Sequence, residues 1–311
     1  MTHRHRCFPV EFWLDKASRA SETDRDMTRR NRVVIAPDWQ ELLQAHQLDS
    51  VDAVYALQAG TVLKPGATTE VRRLAWRDHD SRREIYVKKY WYPTFGDRWS
   101  GFHRGTFLGV SKVRREFENL MRLREWGLDA PTPVAYGEER RSGWLHRSFL
   151  ISEGIREPLP LDLFIRDRLP TLPAPEQRQA RRELIERLAE YTRQMHEHRF
   201  VHHDFFWRNI LLSGRSLVQF FLIDSHKGRC WKPWMETRAR AKDLATLDAP
   251  APSFFRRSER LRFFLNYRGQ RRLTRDDKQL LRLILRVAEP MRAAQLQRVH
   301  RAKSLSTPVK A

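Results

Sequence analysis

Apolar side chains along this chain recur first with a period near two and later with a period near 3.6, which predicts a β-rich first half and a helical second half. Residues 1–32 show neither period, mix charges of both signs with small polar residues, and are read as a flexible N-terminal arm. A short helical pattern at 39–46 is followed by LDSVDAVYAL. Over 69–76 Val71 and Arg72 fall on opposite faces, as in a strand; the polar DHDSRR then turns the chain into EIYVKKYWY, so 69–91 predict an antiparallel hairpin. Residues 93–110 are rich in Gly without a clear period and are read as a loop or insertion, with a lid as one role. Val113, Phe117 and Leu120 stand at i, i+4 and i+7 in an amphipathic helix over 111–126, stopped by Gly127 and by APTP. VAYGEE and RSFLISEG read as two more strands.

Beyond a hinge at 152–157 the character changes. PTLPAPE introduces a helix over 176–198 with the stripe Leu184, Leu188, Tyr191 and Met195, and further helices are predicted at 257–268 and 276–289. The fold class is α+β with two lobes: a small antiparallel sheet carrying one helix (33–152), then a larger, mainly helical lobe (153–300) and a basic tail (301–311). A chain of 311 residues is near the upper size for one core, which favours this division.

Composition narrows the setting. Hydrophobic residues at 41%, with 17 Phe and 10 Trp, suffice for a core and exclude a wholly disordered basic protein. The 59 Lys and Arg exceed the 38 Asp and Glu by 21, which predicts attraction to nucleic acid or to an anionic membrane face. No apolar run approaches the roughly 18 residues of a spanning helix. The N-terminus lacks a signal-peptide apolar region, and Cys7 and Cys230 make no disulfide framework, so a cytoplasmic location is expected.

The chemistry concentrates in VHHDFFWRNILL and FFLIDSHKGR. His202, Asp204 and Asn209 reproduce H-x-D with Asn five residues after the Asp, the spacing of a phosphotransferase catalytic loop. One carboxylate must reach the acceptor hydroxyl while an amide oxygen from the same loop holds a metal; Asp204 is therefore the base or hydroxyl-orienting group and Asn209 a Mg²⁺ ligand. Asp224 ends the apolar run from Phe220 to Ile223 and is the second metal ligand, although the familiar D-F-G reads Asp224, Ser225, His226. Strand alternation lets only one of Lys88 and Lys89 face the phosphates; Lys88 is chosen, with Glu116 its preferred partner and Glu118 the second choice. Gly60, beside the phosphate loop that Gly66 closes, and Glu153 at the hinge complete the nucleotide-binding residues with Lys88. No G-x-G-x-x-G is present, and HHD replaces H-R-D, so activation by loop phosphorylation is not expected.

These motifs resemble the lipopolysaccharide kinase family of Kdo and heptose kinases, which has a protein-kinase-like fold. The resemblance runs from Leu48 to Arg292 through YVKKYW, VRREFENLMRLREWGLDAPTP, the catalytic loop with LIDSHKGR, and RARAKDLATLD followed by RSERLRFFLNYRG. It implies transfer of the ATP γ-phosphate, with Mg²⁺, to a Kdo or heptose hydroxyl of the inner core or a related lipid-linked saccharide. The protein would be peripheral on the inner face of the inner membrane, held by its anionic surface. Asp243 in KDLATL is read as structural support for the catalytic loop.

Other readings compete. The family-independent alternatives are a kinase-like enzyme for a small molecule or protein, and a non-catalytic basic module binding membrane or nucleic acid. His196, His198, His202, His203 and Asp204 are close in sequence but miss zinc spacings. Residues 256–275 hold eight Arg and one acid among aromatics; core aromatics with some arginines facing phosphorylated glycolipid or headgroups are expected, rather than specific nucleic-acid binding.

Overall fold

The structure, a computed structural model, describes residues 29–78, 81–100, 105–213 and 219–306. The chain forms two compact units: one runs up to Arg156 and takes in Ile223–Lys227, the other comprises Glu157–Leu222 and the chain from Gly228 onward.

The first unit is built on a six-stranded antiparallel sheet in the order β1-β5-β6-β4-β3-β2. Its strands are β1 (Arg29–Ile35), β2 (Thr61–Lys64), β3 (Thr69–Asp78), β4 (Ser81–Trp91), β5 (Pro133–Arg141) and β6 (Trp144–Glu153). Helices α1 (Gln40–Ala45) and α2 (Val51–Ala56) bury Leu43, Val51 and Val54 against Leu74, Ile85, Val87 and Ile151 on one face. Each such fully buried aliphatic side chain contributes about 1.5–3 kcal/mol. After α3 (Phe95–Ser100), helix α4 (Lys112–Glu125) packs on β5 and β6, with Phe117 against Tyr136. Ser111 caps α4 by accepting from the Arg114 amide, and Gly127, at φ +74°, ends it. The two sheet faces thus have different covers, which makes strand alternation decisive: β4 turns Ile85, Val87 and Lys89 towards α1 and α2, and Lys88 towards α4. Gly137 lies opposite Phe149, and a Cβ there would stand 2.1 Å from the Phe149 ring.

Two expectations are corrected here. Arg29 to Arg32, assigned from sequence to the N-terminal arm, are strand β1; the rest of that arm lies outside the described residues. The strand is held because Arg29 reaches Asp52 at 3.1 Å and Glu139 at 3.3 Å, and buried Glu139 also meets Arg141 and Arg147. The alternation read over 69–76 is kept, with Arg72 joining Leu74 and Trp76 on the buried face, where Glu70 and the carbonyls of Gln58 and Ala59 satisfy its guanidinium. Within 93–110, α3 forms without apolar periodicity because Thr94 and Asp97 cap it reciprocally, Thr94 N donating to Asp97 and Asp97 N to Thr94 Oγ1.

The second unit is mainly helical. β7 (Leu159–Pro160), β9 (Ile210–Ser213) and β10 (Gln219–Leu222) form a small sheet in the order β10-β9-β7, and β8 (Phe200–Val201) pairs with β11 (Arg229–Cys230). Its helices are the short α5 (Leu161–Leu163), α6 (Ala174–Glu197), α7 (Glu236–Asp248), α8 (Arg257–Arg268) and α9 (Arg275–Ser306). The predicted stripe of α6 is buried, and Ala189 meets Leu244, Phe264, Tyr267 and Ile284 in one core. α9 passes the predicted end at 289 and continues through Pro290 into the expected basic tail. Pro290 is exposed, so the lost amide donor and the displaced carbonyl fall on the solvent side of the helix.

Candidate active site

In the first unit the site is assembled by β4, α4 and the segment Ile223–Lys227. Lys88 Nζ donates to Glu116 Oε1 at 2.8 Å and to Asp224 Oδ1 at 3.1 Å. Glu116 is 1% exposed, and its second oxygen is buried without a hydrogen-bond partner. Burial works against the Lys88 ammonium, but the two carboxylates outweigh it and raise its pKa above the ordinary lysine value. Lys88, in turn, holds Asp224 down to about 2. Asp224 has φ +58°, a left-handed conformation uncommon outside glycine, and is fixed there by its neighbour: Asn119 Nδ2 donates to the Ser225 carbonyl at 2.7 Å, both residues being fully buried. Glu116 and Asn119 are one turn apart on α4, so a single helix face positions both the lysine's partner and the aspartate's backbone.

The residues weighed against these go elsewhere. Lys89 lies on the α1–α2 face, 3.4 Å from Glu70, and donates to Leu57 O. Glu118 pairs with Arg114 at 2.8 Å. Gly60 sits before β2 at φ +87°, where a Cβ would come within 2.4 Å of Arg73 O, and Gly66 lies in the β2–β3 turn. Glu153 ends β6; its amide donates to Thr132 O and its side chain stands 3.9 Å from Arg83.

Sequence reasoning missed Lys112 and His226. Lys112 precedes Glu116 by one turn and holds Nζ 4.3 Å above the Tyr90 ring, on the β4 face that carries Lys88. Burial lowers its pKa, with Lys88 and Lys227 adding to that effect and Glu116 and Asp224 opposing it. The i, i+4, i+7 series Lys112, Glu116, Asn119 was the available signal. Glu116, Asp224 and His226 bring one ligand atom each within 4.8 Å of one another, a grouping of metal-ligand type; the His196–Asp204 run forms none among the described residues.

In the second unit, H-x-D and the asparagine share one loop. The amides of His202 and His203 donate to the two oxygens of Asp243, at 2.7 and 2.9 Å. Burial alone would raise the Asp243 carboxyl, but the His196 imidazole 3.6 Å away and the hydrogen bonds from the backbone lower it, so it stays ionised inside α7. Burial pushes His196 below the ordinary histidine value, and its ring bonds Tyr267 Oη at 2.9 Å, a structural role. His203, at φ +64°, accepts from Arg229 at 3.0 Å, so a guanidinium borders the loop although HHD replaces H-R-D. Asn209 Nδ2 donates to the Asp204 carbonyl at 2.8 Å, which leaves the amide oxygen outside that bond, and Trp207 Nε1 ties the loop to Leu247 O.

A strand lysine bound to a helix glutamate and an aspartate, with a separate H-x-D-x4-N loop anchored by a buried carboxylate, is the equipment of a kinase-like phosphotransferase. The profile of the lipopolysaccharide kinase (Kdo/WaaP) family matches residues 63–301. The lipopolysaccharide core heptose(I) kinase WaaP of Pseudomonas aeruginosa is 30% identical over 192 residues, 59% of this chain and 70% of that protein. Its counterpart from Escherichia coli is 30% identical over 163 residues, 47% of this chain and 60% of that protein. A solved structure of WaaP in complex with acyl carrier protein superposes with a TM-score of 0.59 at 27% identity, covering 83% of this chain and 98% of that one. The chain belongs to the lipopolysaccharide kinase (Kdo/WaaP) family, and it is a phosphotransferase with an alcohol group as acceptor.

Proposed function

We propose that this kinase transfers the γ-phosphate of ATP to a heptose hydroxyl of the lipopolysaccharide inner core, working as a peripheral protein on the inner face of the inner membrane. The observation that carries it is Lys88 bridging Glu116 and Asp224, a preorganised cation with a raised pKa beside a carboxylate kept ionised. Heptose rather than Kdo is favoured because both matched kinases are named for heptose. Among the described residues no helix is long and apolar enough to cross a membrane.

In this reading Lys88 positions the phosphates, Glu116 orients Lys88, and Asp204 orients the acceptor hydroxyl and receives its proton. Asn209 and Asp224 hold Mg²⁺, and their oxygen donors suit that hard cation. Within the first unit, the orphaned Glu116 oxygen beside Asp224 offers a further acceptor for a cation or its water. Mg²⁺, when bound, neutralises charge on the transferred phosphoryl group. Gly60 and Glu153 border the nucleotide, and Lys112 adds a second ammonium near the phosphates. The test is transfer of labelled γ-phosphate into inner-core glycolipids with and without heptose. Label that needs heptose, Mg²⁺ and Asp204 supports the proposal; equal labelling of a heptose-free, Kdo-only acceptor overturns the sugar assignment, and labelling by Asp204→Ala overturns the role of Asp204.

A second reading concerns a protein partner, since the solved relative is a complex with acyl carrier protein. The feature that favours it is an apolar cavity of about 400 Å³ in the second unit, lined by Leu184, Leu188, Trp207, Phe255 and Phe264. An acylated carrier protein should bind wild type and lose affinity to Leu188→Trp; equal binding to both rejects the cavity.

A further inference from the structure

The segment around α3 takes no part in the chemistry above, yet it presents apolar surface. Phe95 and Trp99 are 58% and 59% exposed, and Leu108 is 74% exposed. The aromatics form one cluster, the Phe95 ring lying 5.9 Å from Trp99 and 5.5 Å from Trp144 and Phe107 packing on Trp144 at 4.6 Å, and Leu108 follows Phe107 in the same loop. We propose that Phe95, Trp99 and Leu108, supported by Phe107 and Trp144, form the element that inserts this kinase into the interface of an anionic lipid bilayer. The inference rests on the reading of a lipid-linked acceptor and names the surface that would meet the lipid.

Three features point to a built surface. Leu108 is held at φ +49°, an unfavourable conformation for a branched side chain, although its side chain gains little burial. The loop bearing it is tied at several points: Leu108 N donates to Gly143 O, Phe107 bridges to Trp144 in strand fashion, and the Arg140 guanidinium donates to Gly105 O and Gly109 O. Exposed aromatics joined to a fixed aliphatic tip suit the boundary between headgroups and acyl chains, where flat amphipathic rings are favoured.

The charge around the cluster selects the lipid. Arg98, Arg115 and Arg141 lie on the elements that carry or adjoin it, and Arg141 is more than half exposed. Of the acids nearby, Glu138 pairs with Arg140 and Glu139 is shared by Arg29, Arg141 and Arg147, so these carboxylates are outnumbered by their arginines, while Asp97, which caps α3, keeps its negative charge. The rim is therefore cationic and complements acidic headgroups. Val110 closes the loop two residues before α4, so the inserted tip continues into the helix that bears Glu116.

The test uses the full chain and sedimentation with vesicles of phosphatidylglycerol and phosphatidylethanolamine, against phosphatidylcholine alone. Mg²⁺–ATP binding and phosphate transfer to a detergent-dispersed acceptor are measured in parallel. Wild type should bind the anionic vesicles, with its tryptophan emission quenched by brominated acyl chains. Trp99→Ser with Leu108→Asp should lower partitioning about tenfold or more, leaving nucleotide binding and transfer in detergent unchanged. If wild type binds and the double variant binds equally, the cluster is rejected while the peripheral reading survives. If wild type ignores anionic vesicles, the proposal and the peripheral reading fall together, and transfer in detergent still reports on the kinase reading alone. If wild type is a dimer that the double variant dissociates, the surface covers a second copy and the proposal is overturned.

Discussion

Replacing Lys88 with methionine isolates the energetics of the first half-site. The substitution keeps most of the apolar stem and removes the ammonium that serves two carboxylates, one of them 1% exposed. Glu116 would be left with neither oxygen partnered, since its second oxygen already lacks a hydrogen bond. Removing one member of a buried pair costs roughly 3–5 kcal/mol, and the partial exposure of Lys88 places this case near the lower end, about 3 kcal/mol. For a unit of this size, that lowers Tm by about 6–12 °C. Phosphate transfer should fall by about 10²–10³, the loss expected when one preorganised donor to developing charge is removed. Glu116→Gln alone should cost about 1 kcal/mol, because Lys88 keeps Asp224. The double variant discriminates: it should recover about 2 kcal/mol relative to the sum of the singles while remaining as inactive as Lys88→Met. Thermal unfolding of all four proteins in Mg²⁺-free buffer, with transfer assays alongside, measures this coupling. Strict additivity, or a Lys88→Met protein as stable as wild type, would refute the claim that Glu116 depends on Lys88.

Other expectations follow from the same geometry. Lys88 depresses the Asp224 pKa to about 2, so its stabilisation is complete above pH 4 and disappears as the pH falls through 2; with that side chain 43% exposed it is worth about 1 kcal/mol after screening. The stability difference between wild type and Asp224→Asn in Mg²⁺-free buffer should shrink over that window, and a constant difference rejects the pair. Asp243→Ala strands the buried His202 amide and the part-buried His203 amide and should destabilise the second unit by about 3 kcal/mol, visible in urea unfolding as a lower midpoint; a change under 1 kcal/mol would show that the loop is held otherwise. Lys112→Met removes a cation whose pKa burial has lowered, so stability should hold or rise while Mg²⁺–ATP affinity drops about tenfold; titration calorimetry decides, and unchanged affinity removes Lys112 from the phosphate site.

Elements whose period is strong were legible. The 69–91 hairpin and the helices at 111–126 and 176–198 follow from alternation and from helical apolar stripes, because one face of each is buried. The family was legible as well: the motifs recognised between Leu48 and Arg292 overlap the matched span 63–301. What escaped depends on partners remote in sequence. Alternation sets Arg72 opposite Val71, but that the Arg72 face is the buried one depends on Glu70 and the carbonyls of Gln58 and Ala59 around its guanidinium. The length of α9 beyond 289 escaped as well, because a linear pattern does not reveal that Pro290 falls on the side of the helix that faces water. Alternation established that Lys88 and Lys89 point apart; which face α4 covers is a tertiary fact, and it decides which lysine meets Glu116.

The five residues Ile223–Lys227 also set a timetable for folding. They complete the first unit from a place in the chain 106 residues after Asn119 and 136 after Lys88. At roughly 5–20 residues per second, synthesis from Arg156 to Lys227 takes about 4–14 s. During that interval every strand of the sheet has been synthesised, but Asn119 has no Ser225 carbonyl and the Lys88–Glu116 pair has no aspartate. A fragment ended at Arg156 is therefore an unfinished unit with an unsealed polar seam on α4, and the nascent protein must keep that seam from aggregating until the last five residues arrive.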